Sequence, residues 1–196
     1  MFVTGLVLAA GGSTRLGRPK QLLPFGTGTL LDATLTMARA CAFDQLIVAL
    51  GGSAEDIVDT VDLSGAVVVR NEEYTTGCSS SIAAALPAVN GTADGIVLLL
   101  GDQPAVQPTT VHSLVDAAHD APLGVCRYRN GLGHPLWLGS ETFHDLGGLH
   151  GDKAVWKLLD SGRYDTVQCE VEGPIPRDVD TWDDYKSLLA DSEGRE

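Results

Sequence analysis

A glycine-rich loop near the start decides the fold of this chain: residues 8–20 read LAAGGSTRLGRPK. The apolar run Phe2–Ala9, rich in Val and Leu, leads into it and predicts a buried first strand that ends at the glycines. Two adjacent glycines after a buried strand let backbone N–H groups converge on an anion without interference from a Cβ atom. The sequence therefore predicts a strand that opens into an anion-binding loop.

Strands and helices alternate through the first half of the chain. Further apolar runs of strand length are Gln45–Leu50, Ala66–Arg70 and Gly95–Leu100, and helical patterns fit Leu30–Cys41, Ser53–Val61, Ile82–Val89 and Pro108–His119. Continuous apolar strands are typical of a parallel sheet that helices cover on both faces. Ser53 and Asp56 have the spacing of a capping box for the second helix.

The second half departs from this alternation. Strands are predicted at Leu123–Arg129, Pro135–Leu138 and Thr166–Val171, helices at Glu141–Gly147, Lys153–Ser161 and Trp182–Leu189, and a glycine turn at residues 130–133. We therefore predict an α/β fold, a three-layer α/β/α sandwich whose mostly parallel, Rossmann-like sheet carries an inserted β region. Residues 1–190 are expected to form a single domain, and residues 191–196 a frayed tail.

The overall charge excludes some classes of partner. The 196 residues carry 13 basic and 26 acidic side chains, a net charge of −13, which makes a nucleic-acid partner unexpected. No apolar run reaches membrane-spanning length, and the N-terminus lacks the features of a signal peptide. Four scattered cysteines fit neither a disulfide scaffold nor a zinc site. We expect a cytoplasmic protein that binds neither a membrane nor nucleic acid.

The glycine-rich loop is cationic on an otherwise acidic chain. No Asp or Glu occurs before Asp32, whereas Arg15, Arg18 and Lys20 lie within six residues. The loop is not a P-loop, because Arg18-Pro19 follow Gly17 where Lys and Ser or Thr are needed, and it also lacks the G-x-G-x-x-G dinucleotide pattern. The remaining interpretation is a phosphate-binding loop in which side-chain cations assist the backbone.

Acidic residues at two distant places predict a metal site. Asp102 follows the buried strand that ends at Leu100, where a poorly solvated carboxylate needs a cation or several N–H donors. Next to a phosphate site the natural cation is Mg²⁺. Asp180, and less directly Asp178, could complete the site, whereas Asp183 and Asp184 fit the positive end of the last helix.

Two further turns are ambiguous from their residues alone. The turn at residues 75–81 leads into a helix, where its serines could bind a ligand or simply cap the helix. His134, held between Gly133 and Pro135, could contact a ligand or be structural. Both turns follow predicted strands, and the residues alone do not decide between the two roles of either turn.

The motifs taken together resemble the nucleotidyltransferases related to molybdenum cofactor guanylyl- and cytidylyltransferases, which have a nucleotide-diphospho-sugar transferase type of fold. The signature Leu-Ala-Ala/Gly-Gly-x-Ser-x-Arg-x-Gly-x-x-Lys matches residues 8–20 at every specified position. Further matches are Gly77–Ser81, Gly101–Pro104, Gly133–Pro135, Gly151-Asp152 and the Asp-x-Asp-Thr segment that ends at Thr181. Ala10 is similar to the cytidylyl branch, since guanylyl members usually carry glycine there.

This resemblance implies CMP transfer from CTP to the phosphate of a molybdopterin-type acceptor, with a recipient molybdoenzyme or its chaperone as a further partner. The implied catalytic residues are Arg15, Lys20 and Asp102, and the implied Mg²⁺ ligands are Asp102 and Asp180. The implied nucleotide-binding residues are Leu8, Ala9, Ala10, Gly11, Gly12, Ser13, Arg15, Lys20, Asn71, Gly77, Ser79 and Ser80. The implied acceptor-binding residues are Gln103, Pro104, Gly133, His134 and Pro135. Alternatives are guanylyl or other NMP transfer to a different phosphorylated acceptor, and a non-catalytic carrier of a nucleotide or pterin.

Overall fold

A computed structural model describes residues 1–193 of the chain. Its strands are β1 (Val3–Ala9), β2 (Pro24–Phe25), β3 (Gly28–Thr29), β4 (Gln45–Leu50), β5 (Val67–Arg70), β6 (Gly95–Leu100), β7 (Leu123–Tyr128), β8 (Gly131–Gly139) and β9 (Thr166–Glu170). Its helices are α1 (Leu30–Ala40), α2 (Ala54–Thr60), α3 (Cys78–Ala85), α4 (Pro108–Ala118), α5 (Phe143–Leu146), α6 (Ala154–Asp160) and α7 (Trp182–Glu193).

Seven strands form one sheet in the order β5-β4-β1-β6-β8-β7-β9. Strands β5, β4, β1 and β6 run parallel, β8 runs antiparallel to β6 and β7, and β9 is parallel to β7. The predicted α/β fold with a mostly parallel sheet is therefore confirmed. Leu8 pairs with Leu100 in the ladder between β1 and β6, so the glycine loop and the Asp102 turn leave the sheet side by side.

The core lies on both faces of the sheet because successive strand residues point in opposite directions. In β1, Val7 packs into the cluster that contains Leu35 and Trp137, whereas its neighbour Leu6 packs into the cluster that contains Ile82. These side chains are fully buried. The two layers hold the carboxyl ends of β1 and β6 rigidly at one edge of the molecule.

Strand β5 does not have the two-sided cover that its apolar run predicted. It lies at the edge of the sheet and leaves Val67 43% and Val68 36% exposed. An edge strand pairs on one side only, so an apolar sequence does not guarantee burial there.

The hairpin between β7 and β8 is tighter than predicted. Gly131 and Gly133 belong to β8, where they pair with Tyr128 and Cys126, and the turn is reduced to residues 129–130. A Cβ atom at Gly133 would lie 3.0 Å from Ile175, so this glycine allows close packing within a strand and does not mark a turn.

Several other boundaries differ from the predictions. The β2–β3 hairpin was missed because two-residue strands have no detectable period. The expected capping box at Ser53 is wrong, since its side chain makes no capping hydrogen bond. Helix α3 begins at Cys78, four residues early, and α7 continues to Glu193. The rest of the predicted frayed tail, residues 194–196, lies outside the described residues. Within residues 1–193, no helix has both the length and the apolar character that a membrane crossing needs.

Candidate active site

The glycine-rich loop folds back on the end of β1 through its own side chains. The Lys20 N–H donates to Ser13 Oγ at 2.9 Å, and Ser13 adopts a positive φ of 48°. The buried Gln21 amide donates to the carbonyl oxygens of Ala9 at 2.7 Å and Gly11 at 3.1 Å. These bonds fix the loop so that Lys20 points back across the end of the strand.

Lys20 meets two carboxylates that come from distant parts of the chain. Its Nζ donates to Asp102 Oδ2 and, at 3.0 Å, to Asp180 Oδ1. Arg15 Nη2 lies 2.9 Å from the other oxygen of Asp180. The Lys20 and Asp102 side chains are only 15% and 11% exposed, whereas Arg15 is 67% exposed. A loop cation and two acids therefore form one cluster at the carboxyl edge of the sheet.

The charges of this cluster shift the pKa values of its members. Burial lowers the pKa of Lys20, but the charges and hydrogen bonds of Asp102 and Asp180 outweigh it and raise the pKa overall. For Asp180, burial by itself raises the pKa. The hydrogen bonds and positive charges of Lys20 and Arg15 outweigh burial, so the pKa of Asp180 is lowered overall. Lys20 is therefore protonated and Asp180 ionised at neutral pH.

Asp178 lies beside this cluster and has a different environment. Its Oδ1 accepts a hydrogen bond from Gln103 Nε2, which also donates to the Pro176 carbonyl oxygen at 3.0 Å. Burial, followed by the negative charge of Asp102, raises the pKa of Asp178. The structure therefore places an excess of negative charge around Lys20.

A cleft of about 740 Å³ opens over this cluster. The predicted site residues that line it are Leu8, Ala9, Ala10, Gly11, Gly12, Lys20, Gly77, Asp102, His134 and Asp180. The loop, the Asp102 turn, the segment at Asp180 and the strand β8 thus contribute to one cavity. Arg15 reaches the cluster through Asp180 without lining the cleft.

Other predicted site residues lie behind the cleft wall or beside it. The Asn71 amide donates to the hydroxyl groups of Ser80 and Ser81, and Ser79 is buried. The predicted ligand-binding roles of Asn71, Ser79 and Ser80 stay predictions, since their observed contacts hold the turn together. Gly133 and Pro135 are buried in β8, Gln103 binds Asp178, and Pro104 lines a neighbouring cavity.

Sequence reasoning missed Tyr74, whose ring packs over the Gly51-Gly52 turn after β4. A Cβ atom on Gly52 would lie 2.4 Å from the Tyr74 hydroxyl oxygen, and one on Gly51 would lie 2.4 Å from the Ala10 carbonyl oxygen. Tyr74 also lines the cleft. The paired glycines were the available signal, because glycine is needed where a side chain and a backbone approach this closely.

Gln21 and Trp156 were also missed as cleft residues. Gln21 directly follows Lys20, and its Oε1 is buried without a hydrogen-bond partner in the described structure. Trp156 lies on α6 and meets the His134 ring edge-on, with centroids 5.6 Å apart. The contact between His134 and Trp156 depends on how β8 and α6 pack in the folded protein, so no local sequence pattern predicts it.

The donor set at the cluster fits a hard divalent cation of the predicted Mg²⁺ type. Asp102 and Asp180 offer carboxylate oxygens around one position, which the Lys20 ammonium contacts in this structure. Among residues 1–193, no three His, Cys, Asp or Glu side chains are arranged to hold a metal by themselves. Mg²⁺ commonly takes one or two carboxylates and completes its shell with substrate phosphates and water, so two acids are sufficient.

The family of the chain follows from comparison with known proteins. The model of the MobA-like NTP transferase domain matches residues 5–167, which include the loop, the Asp102 turn and His134. The chain belongs to this family. The predicted resemblance to molybdenum cofactor nucleotidyltransferases is therefore confirmed at the level of the family, and the nucleotidyltransferase class is supported.

Solved structures of similar chains agree with this assignment. The Mycobacterium tuberculosis Rv0371c homologue from Mycobacterium sp. strain JC1 is 51% identical, with a TM-score of 0.93 over 99% of this chain and 98% of that one. Rv0371c from M. tuberculosis H37Rv in complex with manganese is 47% identical, with a TM-score of 0.89 over 97% of this chain and 99% of that one. Manganese thus accompanies one structure that is similar to this chain.

Curated relatives of this MobA-like chain have different activities. Nicotine blue oxidoreductase of Paenarthrobacter nicotinovorans is 34% identical over 95% of this chain and 96% of its own. Molybdenum cofactor cytidylyltransferase of Escherichia coli is 26% identical over 92% of both chains. Membership of the family therefore does not specify the substrates of this chain, and the residues of the site must be considered for that.

Proposed function

We propose that this protein transfers CMP from CTP to the phosphate of a molybdopterin-type acceptor and releases pyrophosphate. The observation that carries the proposal is the convergence of Lys20, from the glycine loop, on Asp102 and Asp180 at the carboxyl ends of β1 and β6. Ligands of open α/β sheets bind at this edge. The molybdenum cofactor cytidylyltransferase of E. coli, to which this chain is similar, supports the choice of nucleotide and acceptor.

The residues of the site have distinct roles in this reaction. The backbone N–H groups of the glycine loop bind the triphosphate, and Arg15 and Lys20 neutralise its charge. A phosphate monoester is largely dianionic at pH 7, so the acceptor needs no general base. The main task of the site is to hold the triphosphate and the acceptor phosphate so that the attacking oxygen is in line with the leaving group. Such positioning can lower the activation free energy by roughly 7–11 kcal/mol.

Asp102 and Asp180 are the residues proposed to hold the divalent cation. When bound, Mg²⁺ would neutralise the charge that develops on the α-phosphate and on pyrophosphate. Asp102 is the principal ligand in this proposal because it is buried and follows β6 directly. The manganese complex of the similar Rv0371c supports the use of a divalent cation without deciding which one.

Ala10 is proposed to favour CTP over GTP. It is buried in the cleft wall, and its carbonyl oxygen lies against Gly51. A methyl group at this position occupies volume that a larger purine base needs. The product would then pass to a recipient molybdoenzyme or its chaperone, in the cytoplasm where CTP is available.

A redox activity is the second candidate, and the 34% identity to nicotine blue oxidoreductase favours it. The cleft is lined by Lys20, Asp102 and Asp180. A lysine beside two carboxylates suits phosphate transfer with a metal ion better than it suits a redox reaction. A redox reaction with a dinucleotide would also be expected to use the G-x-G-x-x-G pattern, which residues 8–20 lack.

The experiment that tests the proposal measures pyrophosphate release for each of the four nucleoside triphosphates with Mg²⁺. Each is combined with molybdopterin, a sugar phosphate or no acceptor, and a parallel assay follows the oxidation of NADH and NADPH. We expect pyrophosphate only with molybdopterin, and fastest with CTP. Nucleotide binding without pyrophosphate from any pair would identify a carrier, and reduced-cofactor consumption alone would favour the redox candidate.

A further inference from the structure

The cleft is lined by both polar and apolar side chains. Lys20, Asp102 and Asp180 are among the polar ones, whereas the apolar ones include Leu98, Leu100, Val155 and Trp156, with His134 beside them. A triphosphate and its metal ligands account for the first group. The apolar group is available to another part of a ligand.

His134 and Trp156 lie near Asp102. Leu136 pairs with Leu98 in the β6–β8 ladder, so His134, two residues earlier in β8, lies near the carboxyl end of β6, which Asp102 follows. The ring of Trp156 contacts that of His134. A second substrate bound against this ring pair would therefore lie beside the proposed metal ligand Asp102.

Trp156 is fixed in place by its neighbours. Helix α6 buries Ala154, Val155 and Leu158, and the half-buried Trp156 packs against the same core cluster. Its ring meets that of His134 at an interplanar angle of 89°. The His134 carbonyl oxygen accepts a hydrogen bond from the Tyr128 hydroxyl at 2.7 Å, which anchors the backbone beneath this ring pair.

We propose that Trp156, oriented by His134, is the stacking platform for the heteroaromatic ring of the proposed acceptor. An indole that packs against the core and also lines a cleft offers an aromatic surface at little entropic cost. This inference rests on the proposed transfer reaction and adds the recognition element for its acceptor. A sugar phosphate has no aromatic ring to stack on this indole.

His134 takes part in this recognition as a neutral ring. Burial lowers the pKa of His134 to about 4, so it carries no charge at neutral pH. A neutral imidazole offers one N–H donor and one acceptor, which suits the mixed donor and acceptor edge of a heteroaromatic ring. His134 can therefore orient Trp156 and also form a hydrogen bond with the ligand.

The test uses binding of a free pterin without a phosphate, measured by calorimetry on the full chain. Trp156→Leu keeps apolar volume without a π-face, Trp156→Phe keeps a π-face, and Trp182→Leu removes an exposed Trp on α7 as a control. We expect the pterin Kd to rise about tenfold or more in Trp156→Leu, and to stay within about threefold in the other two variants. The KM for the acceptor should rise in parallel in Trp156→Leu, while the KM for CTP stays unchanged.

The outcomes separate this inference from the proposed function. An unchanged pterin Kd in Trp156→Leu, or an equal loss in Trp156→Phe, would overturn the stacking role even if CTP-dependent pyrophosphate release is found. Conversely, pterin binding that depends on an aromatic residue at position 156, without pyrophosphate from any acceptor, would support the platform and reject the transfer reaction.

Discussion

The Lys20 ammonium lies 3.0 Å from the Asp180 carboxylate, although 160 residues separate the two in sequence. The same ammonium contacts Asp102, so an internal cation occupies the space between the two acids proposed to bind a metal. An ammonium and a divalent cation cannot share these oxygens without strong repulsion. The geometry therefore couples metal binding to a change in the contacts of Lys20.

Replacing Lys20 by Met should tighten metal binding and remove activity. Without the competing ammonium, we expect the affinity for Mn²⁺ in the absence of nucleotide to rise at least about tenfold. CTP-dependent pyrophosphate release should fall about 100-fold or more, because Lys20 no longer stabilises the transferring phosphates. Mn²⁺ titration by electron paramagnetic resonance and a pyrophosphate assay measure the two effects.

Lys186→Met is the matched control for this change, since Lys186 is an exposed lysine on α7. It should alter neither quantity, and circular dichroism should show native secondary structure in both variants. Weaker Mn²⁺ binding by the Lys20 variant would contradict the competition between ammonium and metal.

Replacing Gly51 by Ala should destabilise the fold and weaken CTP binding. The added methyl group would lie 2.4 Å from the Ala10 carbonyl oxygen and 2.8 Å from Tyr74, so the cleft wall must move. We expect a loss of about 1–3 kcal/mol in the free energy of unfolding, measured in urea, together with a higher KM for CTP. Gly91→Ala, which has open space around it, should stay within about 0.5 kcal/mol. Equal stability of the two variants would show that the close approach is not maintained in solution.

Replacing Asp178 by Asn should change how stability depends on pH. The pKa of Asp178 is raised in the folded protein above its ordinary value of 3.8, so between these two values the folded state binds more protons than the unfolded state. Ionisation of Asp178 therefore reduces stability at neutral pH. This cost decreases as the pH falls through the raised pKa and is lost below 3.8. Asparagine still accepts the Gln103 hydrogen bond and carries no charge.

Urea unfolding of both proteins across this range measures the effect. We expect the Asn variant to be the more stable at neutral pH and the difference in stability to close as the pH falls below 3.8. A gap that widens on acidification would reverse the sign of the Asp178 shift.

Replacing Ala10 by Gly should shift the nucleotide preference toward GTP. Removing the methyl group enlarges the cleft wall where we place the base, and the expected change in the ratio of kcat/KM for GTP over CTP is about tenfold. Competition between the two nucleotides in the pyrophosphate assay measures this ratio. An unchanged ratio would assign the preference to other residues of the cleft.

The predictable part of the fold is the part that repeats a local pattern. Strands β4 and β6 have the predicted bounds because each is a continuous apolar run that ends at glycine. The exposure of β5 was not predictable, since its position at the sheet edge depends on how the sheet is assembled. The same holds for Gly133, whose absent side chain makes room for Ile175, a residue far along the chain.

For the site, the loop and Asp102 could be predicted because both follow buried strands whose carboxyl ends meet in a parallel sheet. Their distance could not be predicted, nor could the contact of Lys20 with Asp180, because these depend on tertiary packing of the C-terminal segment. The sequence around Trp156 and Tyr74 does not mark them as cleft residues, and the paired glycines at Gly51-Gly52 indicate only that some group packs closely there. Only the packing of α6 and of the segment after β5 brings them to the cavity.

Isotope transfer from labelled CTP tests the central claim most directly. With molybdopterin, Mg²⁺ and CTP labelled at the α-phosphate, we predict that the label enters the acceptor and that one pyrophosphate forms per labelled product. Asp102→Asn should reduce this transfer about 1000-fold, whereas Asp94→Asn, at the other end of β6, should leave it unchanged. Label that stays in CTP with the wild-type protein, or an Asp102→Asn variant as active as the wild type, would contradict the account.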